Sequence, residues 1–185
     1  MAASDQDTSP NRPTAGAVAC LSESALQRRL SEEINRAARH GTPLSCLLVT
    51  IGNLAEIARQ HGDDLYEQTL SYAARALATQ VRDFDRIGMP SGSELLLLLP
   101  GADGPRGEVV ARRALQRLRT IKVEADGKRQ PLRISVGLAA WREDLSGEEL
   151  LELAREAARR GRGNGSGPGL ASSSPPALGR PTGPA

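Results

Sequence analysis

Aromatic side chains and lysine are both scarce in this 185-residue chain: Phe84, Tyr66, Tyr72 and Trp141 are the only aromatics, and Lys122 and Lys128 the only lysines. Without aromatics there are no platforms on which a single-stranded nucleic acid could stack its bases. The 24 Lys and Arg residues face 22 Asp and Glu, a net charge of +2, so the basic excess of a general DNA or RNA binder is missing too. No nucleic-acid partner is expected. The two cysteines, Cys20 and Cys46, have neither the number nor the spacing of a metal site or a disulfide framework; a reducing compartment follows, with Cys46 a core residue. The five leucines at 95–99 fall far short of the roughly 20 apolar residues that cross a bilayer, and the N-terminus lacks the basic-then-apolar order of a secretory signal. The expected location is cytoplasmic, with no membrane contact.

What is present divides the chain into three. Residues 1–19 are rich in Ser, Pro, Ala and Thr, and residues 161–185 (GRGNGSGPGLASSSPPALGRPTGPA) in Gly, Ser and Pro. Neither end buries enough apolar surface to order itself, so both are expected to be disordered around a folded unit at 20–160.

Inside that unit, Ser22 or Ser24 is placed to cap a helix whose apolar stripe is Leu26, Leu30, Ile34 and Ala38, ending at Gly41. A strand is expected over 43–51 (PLSCLLVTI), a short helix over 54–61 and a longer one from Asp63 through Arg82. Two strands follow at 85–89 and 94–99, with 90–93 as the turn between them. A helix spans 105–119 with Pro in its first turn. The pair Asp126-Gly127 signals a hairpin between strands at 121–125 and 132–141. The last helix opens on a capping box, Ser146 with Glu149, and carries a stripe of Leu150, Leu151, Leu153, Ala154 and Ala157. The order αβααββαββα describes an α+β domain on a largely antiparallel central sheet flanked by helices. His40 and His61 each precede a Gly at a helix end, where a cation complements the helix dipole; Asp63 and Asp64 do the same at a helix start.

Four stretches carry a family resemblance in order and spacing. ARHGTPLSCLLVTI, RDFDRIGMPSGSELLLLLPGAD, RISVGLAA and ELLELAREA resemble the first helix and strand, the signature hairpin, a later strand and the closing helix of the GGDEF domain, the nucleotidyl-cyclase-like fold of bacterial diguanylate cyclases. That family condenses two GTP molecules into cyclic di-GMP. The signature falls on SGSEL, and the resemblance implies a degenerate member. The family's two metal-holding carboxylates fall on Thr50 and Ser93; neutral hydroxyls replace poorly the anionic oxygens a hard divalent ion requires. Glu94 alone keeps its identity, and a polar residue at a strand start is an equal reading of it. The phosphate-contacting Lys falls on Ala55, the guanine-reading Asn on Ala58 and the guanine-reading Asp on Glu67. The terminal Lys and GRN survive only as RRGRGN, 159–164. The expectation is a lost Mg²⁺ site, no catalytic residues, no cofactor and no cyclase activity.

A second family pattern is kept. The inhibitory product site of many cyclases is R-x-x-D, nine and six residues before the signature, and here those positions are Arg82 and Asp85. The auxiliary Arg of the following helix falls on Arg113. An Arg fork binds phosphate bidentately and stacks on a purine, and a carboxylate accepts from guanine N1 and N2. The resemblance therefore implies a cyclic di-GMP receptor acting through an unidentified protein partner, with a ligand-dependent homodimer as one consequence. A surface ion pair at a helix end, a nucleotide-independent docking module and residual cyclase or GTP-binding activity remain the alternatives.

Overall fold

The computed structural model describes residues 20–163 and 168–171. Its centre is β1 (Leu44–Ile51), which runs antiparallel to β3 (Glu94–Pro100) on one side and to β6 (Ile134–Ala140) on the other. β2 (Arg86–Ser91) pairs antiparallel with β3, and β7 (Gly169–Leu170) pairs parallel with β6, giving the order β2-β3-β1-β6-β7. The α+β class and the largely antiparallel sheet are as expected.

Helices cover both faces. On one, Leu47, Val49, Leu95, Leu97, Leu99, Val136 and Leu138 pack against α2 (Leu54–His61), α3 (Asp63–Ala78) and α4 (Gly104–Arg119). On the other, Cys46, Leu48, Leu96, Leu98 and Ala139 meet α1 (Glu23–His40) and α5 (Gly147–Gly163). A strand buried on both faces has no polar side, which is why β3 is a run of leucine rather than an alternation. Burial pushes the Cys46 thiol pKa up to about 12. At Gly137 a Cβ would stand 2.1 Å from the Ala154 carbonyl oxygen and 2.3 Å from the Ala158 nitrogen. Only glycine lets α5 lie this close to β6.

The structure departs from the sequence reading in several places. The α1 stripe is Leu26, Leu30, Glu33 and Ala37, with Ile34 packed beside it as expected but Ala38 exposed; the buried Glu33 is paired with Arg29 at 2.6 Å. Helix α3 stops at Ala78, not Arg82, and the Asp63 side chain caps nothing but lies in the first turn. Pro90 belongs to β2 and the turn is only Gly92-Ser93; β2 is an edge strand with a register shift between Gly88 and Ser91, where a missing N–H is harmless. Asp126-Gly127 does turn a hairpin, but its partners are β4 (Val123–Ala125) and β5 (Lys128–Gln130), a separate two-stranded sheet. Residues 134–140 instead insert beside β1, because seven mostly apolar residues gain more from the core than from a surface ribbon. His61 points its Nδ1 at Asp126 Oδ2, 3.1 Å away, tying α2 to that hairpin. The capping box stands: Ser146 Oγ accepts from Glu149 N at 3.2 Å, and Glu149 Oε2 from Ser146 N at 2.8 Å. Gly169–Leu170, inside the stretch read as a disordered tail, pairs with Gly137 and Leu138. Residues 1–19, 164–167 and 172–185, including Asn164, lie outside the described residues. Among the described residues, no helix is long and apolar enough to cross a membrane.

Candidate functional site

Thr50, Ser93 and Glu94 are brought together at one end of the sheet. Thr50 stands opposite Glu94 across β1–β3 and opposite Ser135 across β1–β6. The Ser93 carbonyl accepts from Ile51 N at 3.2 Å, closing the turn onto the end of β1. The one carboxylate of this cluster is already partnered. Arg155, on α5, donates from Nε to both Glu94 oxygens at 3.3 Å and from Nη2 to Oε2 at 3.0 Å. Ser91 Oγ donates to the same Oε2 at 3.0 Å. The Glu94 hydrogen bonds raise the Arg155 pKa above its ordinary value.

This donor set does not fit a divalent metal. Thr50 Oγ1 is buried without a hydrogen-bond partner and carries no charge, and a guanidinium sits where a cation would have to approach Glu94. No group of three His, Cys, Asp or Glu that could hold a metal converges among the described residues. Hard cations need several anionic oxygens.

The neighbouring cleft is changed as well. Tyr66, on α3, donates its hydroxyl to the Gly92 carbonyl at 2.6 Å, and a Cβ at position 92 would meet that oxygen at 2.7 Å. A side chain at 92 would therefore have to displace the Tyr66 hydroxyl. Between α3 and the β2–β3 hairpin lies a cavity of about 450 Å³ whose walls include Cys20, Glu67, Leu70, Ala74, Arg75 and Met89. Ala55 and Ala58 offer no polar group on α2. Partial burial raises the Cys20 thiol pKa.

Arg82 and Asp85 share one tight turn between α3 and β2. Asp85 N donates to the Arg82 carbonyl at 3.0 Å, and Asp85 Oδ2 accepts from Arg82 N at 2.7 Å. Arg86 folds its Nη1 back onto the carbonyls of Asp83 and Asp85, at 2.7 and 2.8 Å. The Arg82 guanidinium is exposed and lies 5.7 Å from the centre of the Phe84 ring, itself 49% exposed. Desolvation raises the Asp85 pKa above its ordinary value, outweighing the Arg82 N–H and the Arg82 and Arg86 charges, which lower it. Arg113 is exposed on α4, and no hydrogen bond or ion pair joins it to Arg82 or Asp85 among the described residues. The turn therefore presents an exposed guanidinium over an exposed ring, beside a carboxylate whose Oδ2 is taken by the cap.

Two participants escaped the sequence reading. Arg155 lies on a helix face that reads as solvated, next to Glu152, and nothing local links it to a residue 61 positions earlier. Phe84 was visible as one of four aromatics, but only the structure exposes it beside Arg82.

Fold and signature-end geometry together define the class, and the comparisons agree. Residues 21–167 match the family model described as "Diguanylate cyclase, GGDEF domain". The chain belongs to the GGDEF domain family. It is 29% identical over 147 residues to the diguanylate cyclase DosC of Escherichia coli, covering 77% of this chain and 32% of DosC. The chain thus spans about a third of that relative's length. Among solved structures, the GGDEF domain of PA1120 (YfiN or TpbB) from Pseudomonas aeruginosa superposes with a TM-score of 0.74 at 22% identity, covering 84% of this chain and 99% of that one. The diguanylate cyclase SiaD of the same organism, solved in complex with its activator SiaC, gives a TM-score of 0.73 at 25% identity, over 79% of this chain and 56% of SiaD.

Proposed function

We propose that this GGDEF domain is a catalytically inactive receptor for cyclic di-GMP, held through Arg82, Asp85 and Arg113, which signals in the cytoplasm by changing its contact with a protein partner. The observation that carries the reading is the contrast between the two ends of the β2–β3 hairpin. At the signature end the one remaining acid, Glu94, is closed off by Arg155. At the other end the Arg82 guanidinium stands exposed over Phe84 at the product-site register. An exposed Arg beside an exposed ring suits a purine phosphate: the fork takes phosphate oxygens while the ring planes stack. Signalling through a partner is supported by analogy with SiaD, whose structure includes its activator. No Mg²⁺ or other cofactor takes part in this reading.

Isothermal titration with cyclic di-GMP tests it. Saturable binding, weakened at least tenfold in Arg82→Ala as expected for a lost charge-assisted contact of about 1.5–3 kcal/mol, is the expected result. Absence of binding at tens of micromolar, or binding unchanged in Arg82→Ala, overturns it. Incubation with GTP and Mg²⁺ or Mn²⁺ is expected to yield no cyclic di-GMP; product would restore the cyclase reading. Sedimentation with and without the ligand reads the ligand-dependent homodimer directly.

One observation favours a second reading, a nucleotide-independent docking module. Asp85 already spends Oδ2 on capping the Arg82 N–H, a structural reason for Asp at that position without any ligand. Under that reading Arg82→Ala retains the same protein partner, and cyclic di-GMP does not alter its affinity.

A further inference from the structure

A second cationic feature lies at the C-terminal ends of α3 and α4. Between the last turns of α3 and α4 there is a groove of about 480 Å³ whose lining includes Tyr72, Arg75, Thr79, Arg117, Thr120 and Lys122, and no Asp or Glu. Its size falls within the range of small-molecule sites. Arg75, Arg117 and Lys122 are exposed, and none of them forms an ion pair among the described residues. Other exposed arginines, such as Arg28, Arg39 and Arg59, also lack an ion pair; what sets these three cations apart is that they line one groove together. Tyr72 is 49% exposed and contributes a ring to the same wall. The Thr79 and Thr120 hydroxyls donate to the Ala76 and Arg117 carbonyls, at 2.8 and 2.7 Å.

Helix dipoles account for part of this. Arg75 and Arg117 stand in the last turns of α3 and α4, where a cation complements the helix C-terminus. Each terminus contributes about half a negative charge. Three cations against two such ends leave an excess of about two positive charges in a concave site. Dipole compensation explains neither that excess nor an aromatic ring left half in solvent in a chain with four aromatics.

We infer that this groove binds a nucleoside diphosphate, the base stacked on Tyr72 and the phosphates held by Arg75, Arg117 and Lys122. A diphosphate carries about three negative charges at neutral pH, by extension from the −1.5 to −2 of a phosphomonoester, which matches the three cations. Stacking on a tyrosine accepts any base, because every base has a π-face. Base selectivity is therefore weak, and the phosphates carry the affinity. The groove shares no residue with Arg82, Asp85 and Arg113, so it stands or falls independently of the cyclic di-GMP reading.

Titration of the full chain with ADP at low ionic strength is the test. ADP binds, pyrophosphate binds about tenfold more weakly for want of the stacked base, and adenosine does not bind. Arg75→Ala and Arg117→Ala each weaken ADP about tenfold or more, the loss of a charge-assisted contact. Tyr72→Ala brings ADP down to the affinity of pyrophosphate. Arg129→Ala, which removes an exposed cation on β5, leaves binding as it was. Because all four positions are exposed, a thermal melt confirms that each variant is folded, and Arg117→Glu supplies a second variant with a larger expected loss. Failure of ADP to bind, binding indifferent to Arg75 and Arg117, or an oligo-glutamate peptide competing as well as ADP overturns the inference. The last result would make the groove a surface for acidic proteins.

Discussion

Replacing Arg155 with Met keeps an apolar stem of similar length but removes the guanidinium that clamps Glu94. Both Glu94 oxygens lose their arginine donors, and only the Ser91 hydroxyl bond remains. The Glu94 side chain is 14% exposed and that of Arg155 30%. A fully exposed pair is worth about 0–1 kcal/mol, and breaking a fully buried one costs about 3–5 kcal/mol. With this intermediate exposure, and water still reaching the guanidinium, the expected loss is about 1–2 kcal/mol. For a domain of this size that lowers the melting midpoint by about 3–6 °C. The assay is a double-mutant cycle with Glu94→Gln, read by urea denaturation and thermal circular dichroism. If the pair acts as a unit, the double variant loses much less than the sum of the two singles, with a coupling energy of about 1 kcal/mol or more. Additivity within about 0.3 kcal/mol would falsify the clamp and return Glu94 to a solvated residue at a strand start.

Four other outcomes follow from the same geometry. Thr50→Asp with Ser93→Asp puts two new carboxylates beside Glu94, yet Mn²⁺ should stabilise this variant only when Arg155→Met is added, since the guanidinium otherwise occupies the acid; melting with and without Mn²⁺ decides, and equal shifts in both backgrounds contradict it. Gly137→Ala drives a methyl into the α5 backbone, 2.1 Å from the Ala154 oxygen, and should cost about 3 kcal/mol or more; a normal urea midpoint would show that α5 moves freely on β6. The raised Asp85 pKa means that the folded chain holds this proton more tightly than the unfolded chain does, so its contribution to stability declines as pH rises from the ordinary 3.8 through the raised value. Relative to Asp85→Asn, which keeps the cap, the wild type should lose stability over that interval in urea titrations at stepped pH, and a gain would contradict the sign. Cyclic di-GMP binding should strengthen over the same interval, because guanine needs the ionised carboxylate.

Local chemistry made much of the fold legible. The capping box at Ser146 and Glu149, glycine after α1 and α2, and the unbroken leucine run each act within a few residues, so their meaning survives without the rest of the chain. The R-x-x-D spacing was equally local, but the sequence pattern ran α3 on through Arg82, and only the structure shows the turn in which Asp85 accepts from Arg82 N. Strand pairing was less accessible. The Asp126-Gly127 turn is a local signal, but whether its hairpin joins the main sheet depends on competition for the edge of β1, and the residues at 134–140 win it through apolar burial on both faces.

By itself the sequence determined the α+β domain, the neutral hydroxyls at Thr50 and Ser93, and the register of Arg82 and Asp85, since residue identity and short spacing suffice for each. Tertiary structure decided what those positions touch. Glu94 is clamped by a helix residue 61 positions later, Tyr66 hydrogen-bonds the signature glycine, and Tyr72 shares a groove with three cations because α3 and α4 pack on the same sheet face. Long-range packing energy selects such contacts, and no short window of the chain contains both partners.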